Sequence, residues 1–213
     1  MNYDLSKLDA SQKQANLSPY LTYGSNQVLK INDIELKYSK NTGSPKAILH
    51  METPPITTDG FTPLEGFKGK VGKVACGVYM KDESSKQLFL RKMLTIAIAM
   101  GIDDEIRGFK GDSFQTIVGK IADVFNKNGK FARFTVFGEE YPKMGGKYGV
   151  TLSLPRTNFV EAENADPSML VQFDKNDPWH YKKLPEGTSI EGFHDNGTGS
   201  GGSLDSDVQD LPF

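Results

Sequence analysis

The sequence predicts a mainly β fold with an α-helical insertion, in the form of a five-stranded, mostly antiparallel β-barrel with two inserted helices and a disordered acidic tail. Three observations predict it. Runs of β-type sequence lie on both sides of a central segment, residues 84–128, whose apolar residues recur at helical spacing. Residues 186–213 are rich in glycine and serine and carry acids, which is typical of a disordered acidic tail.

The N-terminal part predicts an arm followed by a β-hairpin. Residues 1–26 are polar with few apolar anchors, so we expect an arm docked on a domain that spans residues 27–185. Residues 28–38 and 46–52 are β-rich, and the sequence SKNTGSP between them has the composition of a turn. These two runs are the first two strands.

A loop and a third strand come next. Residues 53–70 contain three prolines and three glycines, so we expect an irregular segment and a candidate binding loop. Residues 71–80 alternate with period two, which predicts a half-buried strand. The single cysteine, Cys76, lies in this apolar run and is expected to be a small buried residue rather than a reactive thiol.

Two helices are predicted within residues 84–128. Asp112 and Gln115 match a capping box, while Gly101 and Gly129 stand where left-handed helix ends are expected. Wide apolar stripes and an acidic connecting loop favour helices packed on the barrel over a DNA-reading helix-turn-helix. The apolar positions are Leu90, Met93, Leu94 and Ala97, then Phe114, Ile117, Val118, Ile121, Val124 and Phe125.

The strand pattern returns in residues 130–141 and 147–155, which the turn sequence PKMGG separates. Ala132, Phe134 and Val136 share one face of the first run. After Phe159 the periodicity is lost. Trp179 would either stack on a base or seal the end of the barrel, and we favour sealing.

The charge is distributed unevenly between the body and the tail. The chain has 25 bases and 27 acids, and six of the acids but none of the bases lie in residues 186–213. The tail therefore carries a net charge of −6, and the body, with its 21 remaining acids, carries +4. This asymmetry indicates a polyanionic ligand and an acidic interaction tail.

The sharpest motif is the tip of the tail. Its acids are suited to occupy a basic groove, and its apolar triplet is suited to enter a pocket on a partner protein. Acidity alone would fit a tail that only aids solubility, but an apolar triplet adds nothing to solubility. The tip residues are Asp205, Asp207, Asp210, Leu211, Pro212 and Phe213.

With this tip, the chain resembles the single-stranded DNA-binding proteins of bacteria and their phages, in which the tip commonly reads Ile-Pro-Phe or Leu-Pro-Phe. The sequence LKINDIELKYSKNTGSPKAILHME and the order of strands and helices resemble the phage-encoded branch. The resemblance implies an oligonucleotide-binding (OB) fold, and recruitment of replication, recombination or repair proteins by the tip. It also implies that the tip competes with DNA for the groove. The helical insertion and the single tryptophan depart from the cellular tetrameric pattern, so only the tip residues are carried over.

Binding of single strands without sequence preference requires cations for the phosphates and flat side chains on which bases stack. We rank Lys73, Tyr79 and Arg133 highest because they lie opposite the apolar faces of their strands, while at least half of the strand aromatics should belong to the core. The candidate DNA-binding residues are Lys37, Tyr38, Phe67, Lys68, Lys70, Lys73, Tyr79, Arg133, Phe137, Tyr141, Lys143 and Tyr148.

Other functional classes are less favoured. A strand-annealing or recombination-mediator protein would share the same groove. Glu35 and Lys37 match half of a metal-dependent nuclease signature, but the rest of that signature, including an acid on the preceding strand, is not evident. Common NTPase, hydrolase and zinc-protease motifs are also absent, so we expect no catalysis. The three histidines lack metal-ligand spacing, and we expect no metal or cofactor. Without a signal peptide or membrane span, we expect a cytoplasmic protein, in the host cell if phage-encoded, with self-association left open.

Overall fold

A computed structural model describes residues 20–55, 69–77, 79–143 and 148–184. The first part of the predicted arm, most of the candidate binding loop, and the tail lie outside these ranges. The predictions for Phe67, Lys68 and every tip residue therefore lie outside the described residues.

The described chain is mainly β with two helices between the third and fourth strands, which confirms the predicted class. The connection between the helices contains a 3-10 turn at Asp103–Glu105, and another lies at Pro167–Met169. The elements are β1 (Gly24–Tyr38), β2 (Pro45–Glu52), β3 (Val71–Ala75), α1 (Glu83–Met100), α2 (Phe114–Asn128), β4 (Ala132–Pro142), β5 (Tyr148–Ser153), β6 (Val160–Ala162) and β7 (Tyr181–Lys182).

Five strands close a ring in the order β1, β2, β3, β5, β4 and back to β1. The sheet is mixed: most of its pairings are antiparallel, as predicted, and two are parallel. β3 and β5 are parallel, with Val74 beside Leu152, and β7 runs parallel to β4. The long connection through α1 and α2 brings the chain back so that β5 runs in the direction of β3, and only such long crossovers permit parallel pairing.

The length and bend of β1 allow the ring to close. Its first half pairs with β4, where Leu29 lies beside Ala132, and its second half pairs with β2. The register with β2 shifts between Ile31 and Asp33, and an irregularity of this kind bends a strand. Leu29, Ile31 and Ile34 are all buried in spite of the shift.

The core lies on the inner face of the ring and beneath the helices, and it contains the predicted apolar face of β4. The predicted helix positions Leu90, Leu94, Phe114, Ile117 and Val124 are only partly buried against it. Ala132, Phe134 and Val136 are completely buried. Cys76 is buried as expected, and its burial raises the pKa of the thiol to about 11, which makes it unreactive near neutral pH. The helices contribute Phe89, Met93, Ile96, Val118, Ile121 and Phe125 to the same core.

Two strand boundaries differ from the sequence prediction. β1 begins at Gly24, and the backbone amide of Leu21 donates to the carbonyl of Val71 at 2.8 Å, so chain assigned to the arm packs on the ring. β3 ends at Ala75 because Gly77 has a φ of 92°, a value that favours glycine and turns the chain.

The helix ends confirm the predicted terminators and correct one predicted cap. Gly101 and Gly129 adopt left-handed conformations at the ends of α1 and α2. The N-cap of α2 is Ser113, whose Oγ accepts from the amide of Thr116 at 3.1 Å, and not Asp112 as predicted. Ser113 is the last residue with extended backbone before the helix, so its side chain rather than that of Asp112 meets the free amides.

Replacing Ser113 by alanine is expected to lower the free energy of unfolding by about 1 kcal/mol, because the helix loses its capping acceptor. Asp112→Ala is the matched control and should change stability by much less. Urea unfolding of both variants measures the difference, and equal losses would show that the cap is misassigned.

Residues 155–184 wrap across β4 after the ring is complete. β6 pairs with β4 near Arg133, and the side-chain hydroxyl of Thr135 donates to the carbonyl of Val171 at 2.7 Å. This segment buries an outward-facing part of β4 that the sequence alone left exposed. No helix within the described ranges is long and apolar enough to cross a membrane.

Candidate functional site

The candidate site lies on the solvent side of β1, β2 and β3, whose residues alternate with those of the core. We call this surface the outer face. The strand register places side chains from the three strands in rows across it. The outer face consists of Lys30, Asp33, Glu35 and Lys37 from β1, Lys46, Ile48, His50 and Glu52 from β2, and Val71 and Lys73 from β3.

One end of the outer face, next to the turn of residues 39–44, combines lysines and tyrosines. Lys37 lies beside Lys46 in the β1–β2 register, and Tyr38 follows with 49% of its surface exposed. The Lys46 Nζ lies 5.7 Å from the centre of the Tyr79 ring. Burial lowers the pKa of Lys46 below its usual value. The structure thus brings Lys37 and Tyr79 together with Lys46, while Tyr38 lies next to Lys37 in the chain and, by strand alternation, on the other side of β1.

Lys46 was missed because the register of the β1–β2 hairpin, which puts Lys46 opposite Lys37, was not worked out from the sequence. The hairpin pattern in the sequence was sufficient to indicate this register. Two runs joined by a short turn must pair end to end, so the first residues of the second strand meet the last residues of the first.

The connection from β4 to β5 carries a second group of the same kind. The Lys143 Nζ lies 5.7 Å from the centre of the Tyr141 ring. A side chain at Gly149 would collide with both Tyr141 and Lys143, so this glycine makes room for them. Tyr148 is 62% exposed. Tyr141 and Lys143 therefore lie together over Gly149, while Tyr148 pairs with Pro142 and lies next to them on the other face of the strand pair.

The two groups lie at opposite ends of the strands. β5 runs parallel to β3 and therefore starts at the end where β3 starts. The start of β3 pairs with Glu52 at the end of β2, away from the β1–β2 turn. The middle of the outer face is one route by which a ligand can reach both groups.

The middle of the outer face holds Glu35 between two basic side chains. One carboxylate oxygen, Oε2, accepts from the Lys73 Nζ at 2.9 Å and lies 2.9 Å from the His50 Nε2. The hydrogen bonds from Lys73 and then from His50 hold the pKa of Glu35 below its usual value. Lys73, one of the highest-ranked candidates, is thus accessible but paired with an acid.

Arg133 lies on β4, outside the three strands of the outer face, and its side chain is already engaged. Its guanidinium donates to the Asn26 Oδ1 at 2.9 Å and to the carbonyl of Glu163. The prediction placed Arg133 opposite the apolar face of its strand, and that placement is correct. The segment that wraps across β4 covers this side of the strand, so the side chain is half-buried.

Phe137 shares this side of β4 and packs into an aromatic cluster. The centre of its ring lies 4.5 Å from that of His180 and 6.4 Å from that of Phe173. Tyr23 and Tyr181 extend the cluster, with ring centres 4.6 Å apart. Phe137 is therefore separate from the lysine and tyrosine groups.

The two remaining predictions for described residues concern Lys70 and Trp179. The backbone amide of Lys70 donates to the Thr53 Oγ1 at 2.8 Å, so Lys70 helps to close the base of the candidate binding loop. Trp179 is 69% exposed, so the expectation that it seals the barrel end is wrong. Its short turn lies outside the apolar core and leaves the indole at the surface.

No protein family model matches this chain, and no curated protein matches it. Its function must therefore be inferred from its own residues.

The outer face carries four lysines and three acids, and one of these lysines, Lys30, is paired with Glu52 at 3.2 Å. Within residues 20–55, 69–77, 79–143 and 148–184, no group of three or more His, Cys, Asp or Glu side chains is placed to hold a metal ion. Glu35, the nuclease candidate, is paired with Lys73 and His50 instead of with other acids. Lysine ammonium groups on the outer face and near Tyr141 are suited to phosphate oxygens.

Proposed function

We propose that the ring is an OB barrel and that the protein binds single-stranded DNA without sequence preference across its outer face. The closed order of five strands, with helices between β3 and β4, supports the fold. OB barrels bind oligonucleotides on the face of strands 2 and 3 and with the β1–β2 and β4–β5 loops. Those are the places where the lysines and tyrosines of this chain meet, which is the observation that carries the proposal.

In this proposal, lysines bind the phosphates and tyrosines stack on the bases. Lys37, Lys46 and Lys143 neutralise phosphates, and release of counterions then drives association. Tyr38 and Tyr148 offer exposed rings on which bases stack, and stacking accepts every base because every base has a flat face. Such a surface binds single strands in preference to duplex, whose bases are already stacked.

The size of the surface suits a short stretch of single strand. β2 has eight residues, and at about 3.3 Å for each residue it spans about 26 Å. The two groups lie at opposite ends of the strands, so this length is the scale of their separation. It has room for several nucleotides, in keeping with the roughly 4 to 16 nucleotides that one OB fold covers.

The acidic tail would regulate this surface and connect it to other proteins. Residues 186–213 carry no base, and the rest of the chain is positively charged. We propose that the tail competes with DNA for the lysines and that bound DNA releases it. Asp205, Asp207, Asp210, Leu211, Pro212 and Phe213 then bind proteins of replication, recombination or repair.

Fluorescence anisotropy with a labelled oligo-dT and its matched duplex tests the proposal, using the full chain and a variant truncated after Pro185. We expect binding to the single strand, weaker binding to the duplex, and tighter binding after truncation. Affinity should fall with salt, with a log–log slope of about −0.7 for each phosphate neutralised. If neither protein binds the single strand, the proposed function is wrong.

A further inference from the structure

The cluster of Glu35, His50 and Lys73 has the donors of a phosphate site and is already occupied by an anionic group. Two basic side chains from neighbouring strands converge on the same carboxylate oxygen, each at 2.9 Å. A phosphate oxygen accepts the same hydrogen bonds as a carboxylate oxygen, and the bond from the Lys73 ammonium is charge-assisted. The Glu35 carboxylate therefore stands where an oxygen of an external anion would be held.

The cluster is open to solvent and lies in the middle of the outer face, between the two ends of β2. The side chains of His50 and Glu35 are 33% and 35% exposed, and that of Lys73 is 59% exposed. His50 and Lys73 are direct neighbours in the β2–β3 register. A ligand thus reaches both donors without any change in the strands, and only the Glu35 side chain has to move.

We infer that His50 and Lys73 form a phosphodiester subsite at the centre of the outer face, which the Glu35 carboxylate fills until nucleic acid displaces it. This inference rests on the proposed function. Glu35 is then an internal competitor that lowers affinity, since its partners must be released before they hold a phosphate. The Lys73 ammonium exchanges the Glu35 carboxylate for a phosphate, and no covalent bond is made or broken.

The first test compares E35Q with D33N in oligo-dT binding. Both variants remove one negative charge from β1, but only Glu35 holds Lys73 and His50, because the Asp33 Oδ1 accepts from the amide of Ile34, which asparagine still permits. We expect E35Q to bind about two- to fivefold more tightly, the range of an exposed ion pair. Its salt slope should steepen by about 0.7, for one additional phosphate contact. D33N should show a smaller gain and an unchanged slope.

K73A is the complementary variant and is informative even if E35Q folds poorly. In the protein that retains Glu35, K73A removes the Lys73 ammonium, so oligo-dT should bind more weakly and the salt slope should become shallower. In the double variant, E35Q should no longer tighten binding, because the cation that it releases is absent. Additive effects of the two substitutions would overturn the inference, and so would equal gains for E35Q and D33N.

The imidazole proton signals of His50 separate nucleic acid from free phosphate as the ligand. Oligo-dT should shift these signals in E35Q at concentrations where inorganic phosphate of equal ionic strength does not. A shift with inorganic phosphate alone would mean a small-anion site and would refute the inference. If the protein with Glu35 fails to bind oligo-dT at all, the proposed function itself fails, whereas binding with no response to E35Q removes only the subsite.

Discussion

Tyr148→Ala is expected to weaken the binding of oligo-dT by about five- to 150-fold, the loss of one stacked base. Tyr148 is the first residue of β5 and is 62% exposed, so its ring is free of the core. For the same reason the free energy of unfolding should be almost unchanged. Anisotropy titration and urea unfolding measure the two quantities.

Two controls identify stacking as the cause. Tyr148→Phe keeps the flat ring and should retain most of the affinity, whereas a hydroxyl contact would be lost. Trp179→Ala removes an exposed aromatic that is outside the outer face, and should have a small effect. Equal losses for Tyr148→Ala and Trp179→Ala would mean that the binding surface is elsewhere.

The salt dependence of binding distinguishes base stacking on the Tyr148 side chain from phosphate binding by lysines. Stacking releases few counterions, so the loss caused by Tyr148→Ala should be similar at low and moderate salt. A loss that disappears at moderate salt would indicate that Tyr148 acts by positioning a lysine such as Lys143.

The ring strands and the helices could be predicted because their apolar residues follow regular periods. Ala132, Phe134 and Val136 are inside, as alternation requires. β6 and β7 could not be predicted, since they have three and two residues and are held by tertiary pairing with β4. The parallel pairing of β3 with β5 depends on the path of the chain through two helices, which no local pattern encodes.

The site was predictable in residue type but less so in position. Alternation correctly turned Arg133 and Phe137 away from the core, but an aperiodic later segment covers them. The pairing of Glu35 with Lys73 depends on the register of three strands, because β2 lies between their strands. Local sequence therefore identifies lysines and tyrosines, while long-range pairing decides which of them meet.

Phe134→Ala should lower the free energy of unfolding by about 3 to 5 kcal/mol, the usual cost of removing a buried phenylalanine. The side chain is completely buried on the inner face of β4. Since small domains have a total stability of about 5 to 15 kcal/mol, this single change would remove a large part of it. Unfolding in urea, monitored by the fluorescence of the single tryptophan and by circular dichroism, gives the value.

The position of Phe134 also makes this variant a test of ring closure. Phe134 lies beside Gln27 of β1 on one edge of β4 and beside Val160 of β6 on the other edge. Its aromatic side chain therefore supports the junction where β4 pairs with β1 and closes the ring of strands. Phe137→Ala is the matched control on the opposite face of the same strand, where the ring is only half-buried, and should cost less. If both variants lose equal stability, the assignment of inner and outer faces along β4 is wrong. If only Phe134→Ala is severe and it also abolishes oligo-dT binding, the closed ring is the scaffold that holds the outer face in register.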